Sequence, residues 1–369
     1  MPGQGISPAG RFLSKTQNRM GFIAAMGGFF HQTTKVKEDA MFKKIVTGFL
    51  CAMLALSFGV GETRADDKNL IIATATTGGT YYPVGVAIGT VISIKLAKDH
   101  KITATAINSA GSGENVEMLK NKEADMAILQ ALFGQEAYSG TGKYKGKAMK
   151  EFRAVTMLWE NIEHFVLLNK YVKSGTIMDL KGLGQKFSIG KRGSGTEGSG
   201  RAILSALGID PEKAMTLEYL GYSPSASAMM DNRIVGANLP AGPPVAAVTQ
   251  LFAQVGAKNV KVLDFTDEQI ALLQKSYPVW TKYVIKAGVY PGQEEDIRTV
   301  GQPNFLACRP DLPDETVYLI TKTIFENLSF LHNIHKATTA MSLERATVGM
   351  PVPLHPGAEK FYREKGIIK

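Results

Sequence analysis

The chain has 369 residues, 42 Lys and Arg against 33 Asp and Glu, a net charge of +9 and a 44% hydrophobic composition. That length allows two domains with ordinary cores, and two cysteines are too few for a disulfide-dense secreted scaffold. The basic balance is partly local: 8 basic and 3 acidic residues fall in the first 65, leaving +4 from Asp66 onward, with no clustered basic stripe of the kind nucleic acid requires.

The first feature in chain order is a leader. Met41-Phe42-Lys43-Lys44 is a short basic start, and 45–60 carries no charge over 16 residues. Thr63-Arg64-Ala65 then offers small residues around a cut before Asp66, so 41–65 reads as a Sec signal peptide of an exported, periplasmic protein. A membrane anchor is the other reading, but the run falls short of the roughly 20 apolar residues that a span needs. Gly48-Phe49-Leu50 before Cys51 lacks the small residues of a lipobox. Residues 1–40 show no sustained period; they read as an over-extended start with translation beginning at Met41, or as a long leader. Beyond the cut only Cys308 remains, in an apolar run that reads as core.

From Asp66 short apolar runs alternate with amphipathic stretches, the rhythm of an α/β fold. A strand is expected over 70–75, a turn at 76–79 and a helix over 82–96. A strand over 102–107, a small-residue loop over 108–113, a helix from 115 and a strand over 125–130 complete one lobe. A second series starts near Glu160, with strands over 164–169 and 187–189, a glycine loop and a helix over 201–207. Strand, helix and strand follow over 215–219, 223–231 and 234–239, until Pro240, Gly242, Pro243 and Pro244 stop the pattern. The segment 260–263 leads back; a strand over 304–308 and helices over 313–330 and 355–365 end the chain. The expected layout places 66–159 and 266–369 in the first lobe, including a crossing strand, and 160–265 in the second.

Three loops share one design: a strand ends, small residues turn the chain and a helix begins. They supply Thr77, Gly78, Gly79, Thr80, Tyr81 and Tyr82; then Ser112, Gly113 and Asn115; then Ser194, Gly195 and Thr196. Glycine admits close backbone approach, hydroxyls donate, and a helix start presents free N–H groups with partial positive charge, which together hold a carboxylate or phosphate without a metal. Each loop alone reads equally as a capped helix start; three in two lobes point to a ligand. One of the two tyrosines is expected in the core. Arg192 precedes the third loop as a ligand cation or a solvated turn, and Gln130 closes a strand as a donor or a loop cap.

Enzymatic patterns are scarce. The six histidines are scattered, and H-E-x-x-H, G-x-S-x-G and a G-K-[ST] phosphate loop are absent from the sequence. Gly193, Gly195 and Gly198 do spell G-x-G-x-x-G, with Glu218 where a dinucleotide fold places its ribose acid. A nicotinamide enzyme would open a βαβ domain on that motif. Here it lies mid-chain in an exported protein and reads as an anion-binding helix start.

Five segments carry a resemblance: ATTGGTYYPVG (75–85), NKEADMAILQ (121–130), AGVYPGQEEDIRTV (287–300), DLPDETVYLITKTIFEN (311–327) and GMPVPLHPGAEKFYREKG (349–366). On these the chain resembles the TAXI-type solute receptors of tripartite ATP-independent periplasmic (TRAP) transporters over nearly all of 69–369. The resemblance implies a type II periplasmic binding-protein fold: two α/β lobes with mixed sheets, joined by crossing strands, closing on a ligand in the cleft between them. It implies capture of a small organic acid, a dicarboxylate, 2-oxo acid or glutamate-like amino acid, for a permease driven by ion gradients. It places 78–82 and 194–196 at the cleft, and Gly242 and Pro243 complete the candidate set. No catalytic residue, metal or cofactor is implied, and a monomer is expected. Glu197, and a segment 238–244 poor in aromatics, depart from the family pattern and bear on ligand identity rather than fold. An exported enzyme built on 193–198, or a ligand-sensing subunit, are the alternatives.

Overall fold

The computed structural model describes residues 68–369, so the expectations for 1–40 and for the signal peptide at 41–65 lie outside the described residues. The first lobe opens with β1 (Lys68–Ala73), α1 (Tyr81–His100), β2 (Ile102–Ile107), α2 (Ser112–Lys120), β3 (Met126–Gln130) and α3 (Ala131–Ser139). The long strand β4 (Arg153–Ile162) leads into the second lobe. There follow β5 (Phe165–Leu168), β6 (Lys186–Ser188), α4 (Gly195–Ala206), α5 (Pro211–Ala214), β7 (Thr216–Glu218), α6 (Tyr222–Met230), β8 (Gly236–Asn238), α7 (Ala246–Val255) and β9 (Val260–Val262). Next come α8 (Asp267–Ser276) and β10 (Thr281–Ile285); the long β11 (Ile297–Cys308) returns the chain to α9 (Asp314–Glu326), α10 (Leu328–Ile334) and α11 (Pro356–Glu364).

Two mixed sheets result. The first runs β10-β11-β3-β1-β2, with β4 also paired to β11; β1 is parallel to β2 and β3, and β11 is antiparallel to its partners. The second runs β7-β6-β8-β5-β9, parallel around β6 and antiparallel around β5. The antiparallel pair β4–β11 connects the lobes, so the chain crosses once outward and once back. The pairing is irregular next to Pro303, a residue that cannot donate to the ladder.

Strand alternation explains why each sheet is covered on both faces. Leu70 and Ile72 enter the core beneath α1, α9 and α11, while Ala73 packs with Leu119, Phe133 and Phe305 on the other face. In the second lobe Phe165 and Leu167 pack with Phe187, Ile203 and Trp280, and Val166 and Leu168 pack with Met229, Val248 and Leu251. Burial on both faces makes such strands nearly continuous apolar runs, which is the pattern in the sequence.

Two differences from the sequence expectation have physical causes. Ile270, Leu273, Trp280 and Val300 belong to one core of the second lobe, and Ile285, Tyr290 and Ile297 to the other. Side chains from 266–300 therefore pack in the cores of 160–265, although β10 hydrogen-bonds to β11 in the first sheet. The helix expected over 313–330 is two helices, broken at Asn327, whose side-chain amide donates to Thr323 O at 2.8 Å in competition with the backbone. Glu218 lies on edge strand β7 in a part-exposed ion pair with Lys186 at 2.9 Å, a surface role unrelated to the glycine motif. Cys308 is fully buried, as expected.

Candidate ligand site

Four helix starts meet where the lobes face each other. From the first lobe come α1, beginning after Thr80, and α2, beginning after Gly111; from the second come α4 after Ser194 and α6 after Gly221. Between them lies a cavity of about 30 Å3. A single water needs about 10–15 Å3, so the closed cleft has room for one or two. Thr76, Gly79, Thr80, Tyr81, Gly111, Ser112 and Gln130 line it from one side; Gly195, Thr196, Tyr222, Pro240 and Ala241 line it from the other. Asn161 on crossing strand β4 forms part of the wall.

Among the described residues no charged side chain lines this cavity. The helix starts α1, α2 and α6 carry no side-chain cap. Each helix start brings roughly half a positive charge; the first-turn acids Glu114 of α2 and Glu197 of α4 partly offset theirs, so the pull on an anion comes mainly from the starts of α1 and α6. Two buried amide atoms in the wall lack partners: the Gln130 side-chain oxygen and the Asn161 side-chain nitrogen. Gln130 is 3% exposed and Asn161 1%. Such groups are costly to bury unpaired, and they present an acceptor and a donor to whatever occupies the space. Burial pushes both lining phenols, Tyr81 and Tyr222, well above the ordinary tyrosine range and keeps them neutral.

The lobes meet through backbone groups and two threonine hydroxyls. Thr80 Oγ1 donates to Gly242 O at 3.0 Å, and Ala247 N donates to Gly78 O at 3.1 Å. Thr77 O accepts from Ser223 N at 3.4 Å, and Thr76 Oγ1 accepts from Tyr222 N at 3.4 Å. Tyr222 in turn donates its hydroxyl to Pro240 O at 2.5 Å and receives that of Thr196 at 2.9 Å.

The glycine motif belongs to this seam. A methyl group at Gly198 would overlap the Phe133 ring, and one at Gly195 would stand 2.7 Å from Gln130 Oε1 and 2.8 Å from Ser112 Oγ. A methyl at Gly113 would overlap the carbonyl of Gly193, which reaches across the cleft. The spacing that resembles a dinucleotide fingerprint is thus the spacing at which one lobe touches the other.

Of the residues singled out from sequence, Gly79, Thr80, Tyr81, Ser112, Gln130, Gly195 and Thr196 come together at the cavity. Gly78 and Thr77 contribute carbonyls to the seam, and Gly113 borders it. Tyr82 lies outside the lining, and Tyr81 is the buried one of the pair, donating to Asn304 Oδ1 at 2.5 Å. Asn115 is a core residue: its side chain bonds Ser109, Thr74 O and Ile128 O within the first lobe. Arg192 stacks on the Tyr219 ring at 3.6 Å, away from the cleft. Glu197 accepts from Gly193 N at 2.8 Å and pairs with Arg201 at 3.2 Å, also outside the lining. Gly242 offers its carbonyl to Thr80, whereas Pro243 lines a different cavity.

Ser194 is a cap, with its Oγ accepting from Glu197 N at 3.0 Å. Ser194→Ala is therefore expected to lower stability by about 1 kcal/mol in urea unfolding, with little change in ligand affinity. Thr80→Ala removes a bond that exists only between closed lobes and is expected to weaken ligand about tenfold, roughly 1.4 kcal/mol, in calorimetric titration.

Asn161 and Tyr222 were not singled out from sequence. Asn161 had one signal, an amide inside the crossing segment MLWENI. Tyr222 sits at a helix start behind Gly221, the arrangement that flags Tyr81 behind Gly79 and Thr80.

The NMT1-like family pattern matches residues 72–366. The chain belongs to this family. Among solved structures it is similar to MatC from Rhodopseudomonas palustris with bound malate, at 13% identity and a TM-score of 0.49, over 82% of this chain and 100% of that one. It is also similar to PhnD1 from Prochlorococcus marinus in complex with methylphosphonate, at 13% identity and a TM-score of 0.48, over 82% and 100%. The periplasmic binding protein BugD matches at 14% identity and a TM-score of 0.48, over 81% and 93%. Among the described residues no helix is long and apolar enough to cross a membrane, and no group of three or more His, Cys, Asp or Glu is placed to hold a metal ion.

Proposed function

We propose that this NMT1-like protein is an extracytoplasmic solute receptor that captures a small organic acid between its lobes and delivers it to an ion-gradient-driven permease of the TRAP type. One observation carries the receptor reading: four helix starts converge on a charge-free cleft whose wall holds two unpartnered amide atoms. Helix N–H groups would take the carboxylate, and Gln130 and Asn161 would pair with a second polar group on the same molecule. Histidine, cysteine and carboxylate side chains are absent from the lining, so the cleft offers binding groups rather than acid–base pairs. Organic acids and the TRAP permease are suggested by the TAXI-type segments, which include the 75–85 loop at the cleft. Entry requires the lobes to part, because the closed cavity is smaller than any such acid. The hinge would lie in the β4–β11 pair.

A thermal-shift screen of the full chain tests this reading. The panel holds dicarboxylates, 2-oxo acids, acidic and neutral amino acids, phosphate and NAD. A small carboxylate at 100 times its Kd is expected to add roughly 2.7 kcal/mol. Stabilisation by NAD alone would contradict the reading and return the glycine loop to a dinucleotide role.

A further inference from the structure

A second cavity, of about 460 Å3, is lined by Pro243 and Pro244, next in the chain to the Gly242 that accepts from Thr80. It falls within the size range of small-molecule sites. One wall comes from the first lobe, with Lys336, Ala337 and Arg345; the other comes from the second, with Pro243, Pro244 and Tyr283. Trp159 of crossing strand β4 lines it as well. Trp159 is 1% exposed, and its indole N–H is buried without a partner. Among the described residues Lys336 and Arg345 make no ion pair, whereas the third lining cation, Lys286, is held by Asp296 at 2.7 Å. Glu160 is the one carboxylate in the lining. The surroundings are thus an aromatic and proline surface and two uncommitted cations against a single acid.

We propose that this cavity is a second binding site, for an aromatic carboxylate, and that its occupant holds the lobes closed. The ring would lie against Trp159, Pro243 and Tyr283, and the carboxylate would face Lys336 and Arg345. Coupling to the first site follows from the lining, since a ligand touching both lobes binds the closed arrangement better than the open one and shifts the population toward it. A local connection also exists. His335 accepts from Ala337 N through Nδ1 at 3.1 Å, leaving Nε2 as the protonated nitrogen, 3.5 Å from Thr80 Oγ1. Ordering of 335–337 by a bound carboxylate therefore bears on the hydroxyl that closes the cleft. The site goes beyond the receptor reading and does not depend on which acid fills the first cleft.

The test uses the full chain with Trp280→Phe, which leaves Trp159 as the single tryptophan. Phenylacetate is titrated while indole emission is followed with red-edge excitation. Saturable one-to-one binding is expected, weakened at least tenfold in Lys336→Gln/Arg345→Gln and retained in Lys336→Arg/Arg345→Lys. Both positions are exposed, and a thermal melt of each variant verifies the fold. Equal binding by the glutamine variant would place the probe in the first cleft and overturn the proposal. Absence of saturable binding to the parent chain would overturn it too. If Trp280→Phe fails to fold, the same titration is read by calorimetry on the parent chain, with the same variants deciding.

Discussion

Gly113→Ala is expected to weaken ligand binding at least a hundredfold, about 3 kcal/mol, while leaving the protein folded. The added methyl would overlap the Gly193 carbonyl across the cleft, a backbone atom that no rotamer change can move aside. Within its own lobe the substitution is benign. Gly113 lies in the first turn of α2 with ordinary helical φ, where alanine is favoured over glycine by up to about 1 kcal/mol. The variant should therefore melt no lower than the parent and yet fail to close. Gly198→Ala would overlap the buried Phe133 ring, so its effect on closure is mixed with a loss of core packing. Calorimetric titration with the best acid from the panel reads the effect. Parent-like affinity in Gly113→Ala would mean that the closed apposition plays no part in binding.

Glu163→Gln is expected to remove a pH-dependent loss of stability. Glu163 sits between the two crossing elements, fully buried, with Asn238 donating to one oxygen at 2.9 Å and the other unpartnered. Burial raises its pKa from 4.5 to about 7. A raised carboxyl favours folding most when protonated, so its contribution is complete below about pH 4.5 and is lost as pH rises through 7, a change of roughly 3 kcal/mol. The neighbouring His164 works in the opposite sense. It is buried and neutral, donates through Nδ1 to Ile162 O at 2.8 Å and accepts the Tyr290 hydroxyl through Nε2 at 2.7 Å. Desolvation lowers it from 6.5 to about 4, so its contribution is present above pH 6.5 and lost as pH falls through 4. Urea unfolding at pH 5 and pH 8 separates the two. The parent loses stability over that interval relative to Glu163→Gln, and the variant is the more stable of the two at pH 8. Parallel pH profiles would show that Glu163 is charged in the folded protein.

The alternation of apolar runs made the α/β class legible, and β2, β3, β5 and the buried Cys308 fall where the sequence places them. Loop chemistry was legible where a glycine, a hydroxyl and a helix start coincide, as at Gly79–Tyr81 and Gly195–Thr196. It misled where the same residue types serve the fold: Asn115 binds three elements of its own lobe, Ser194 caps its helix, and Arg192 finds an aromatic ring. Strand β4 was missed because Val155–Trp159 is buried throughout and shows no alternation. Asn161 was missed with it, since only the crossing of β4 past the helix starts brings that amide to the cleft. The role of the glycines as a seam between lobes depends on contacts between residues 65 to 83 positions apart, which no local spacing encodes.

Small-angle X-ray scattering of the full chain, with and without a saturating small acid from the panel, tests the central claim of lobes closing on an anion. The radius of gyration is expected to fall on binding in the parent and to stay unchanged in Gly113→Ala under the same acid. Tight binding without compaction of the parent would mean that the lobes do not close on the ligand.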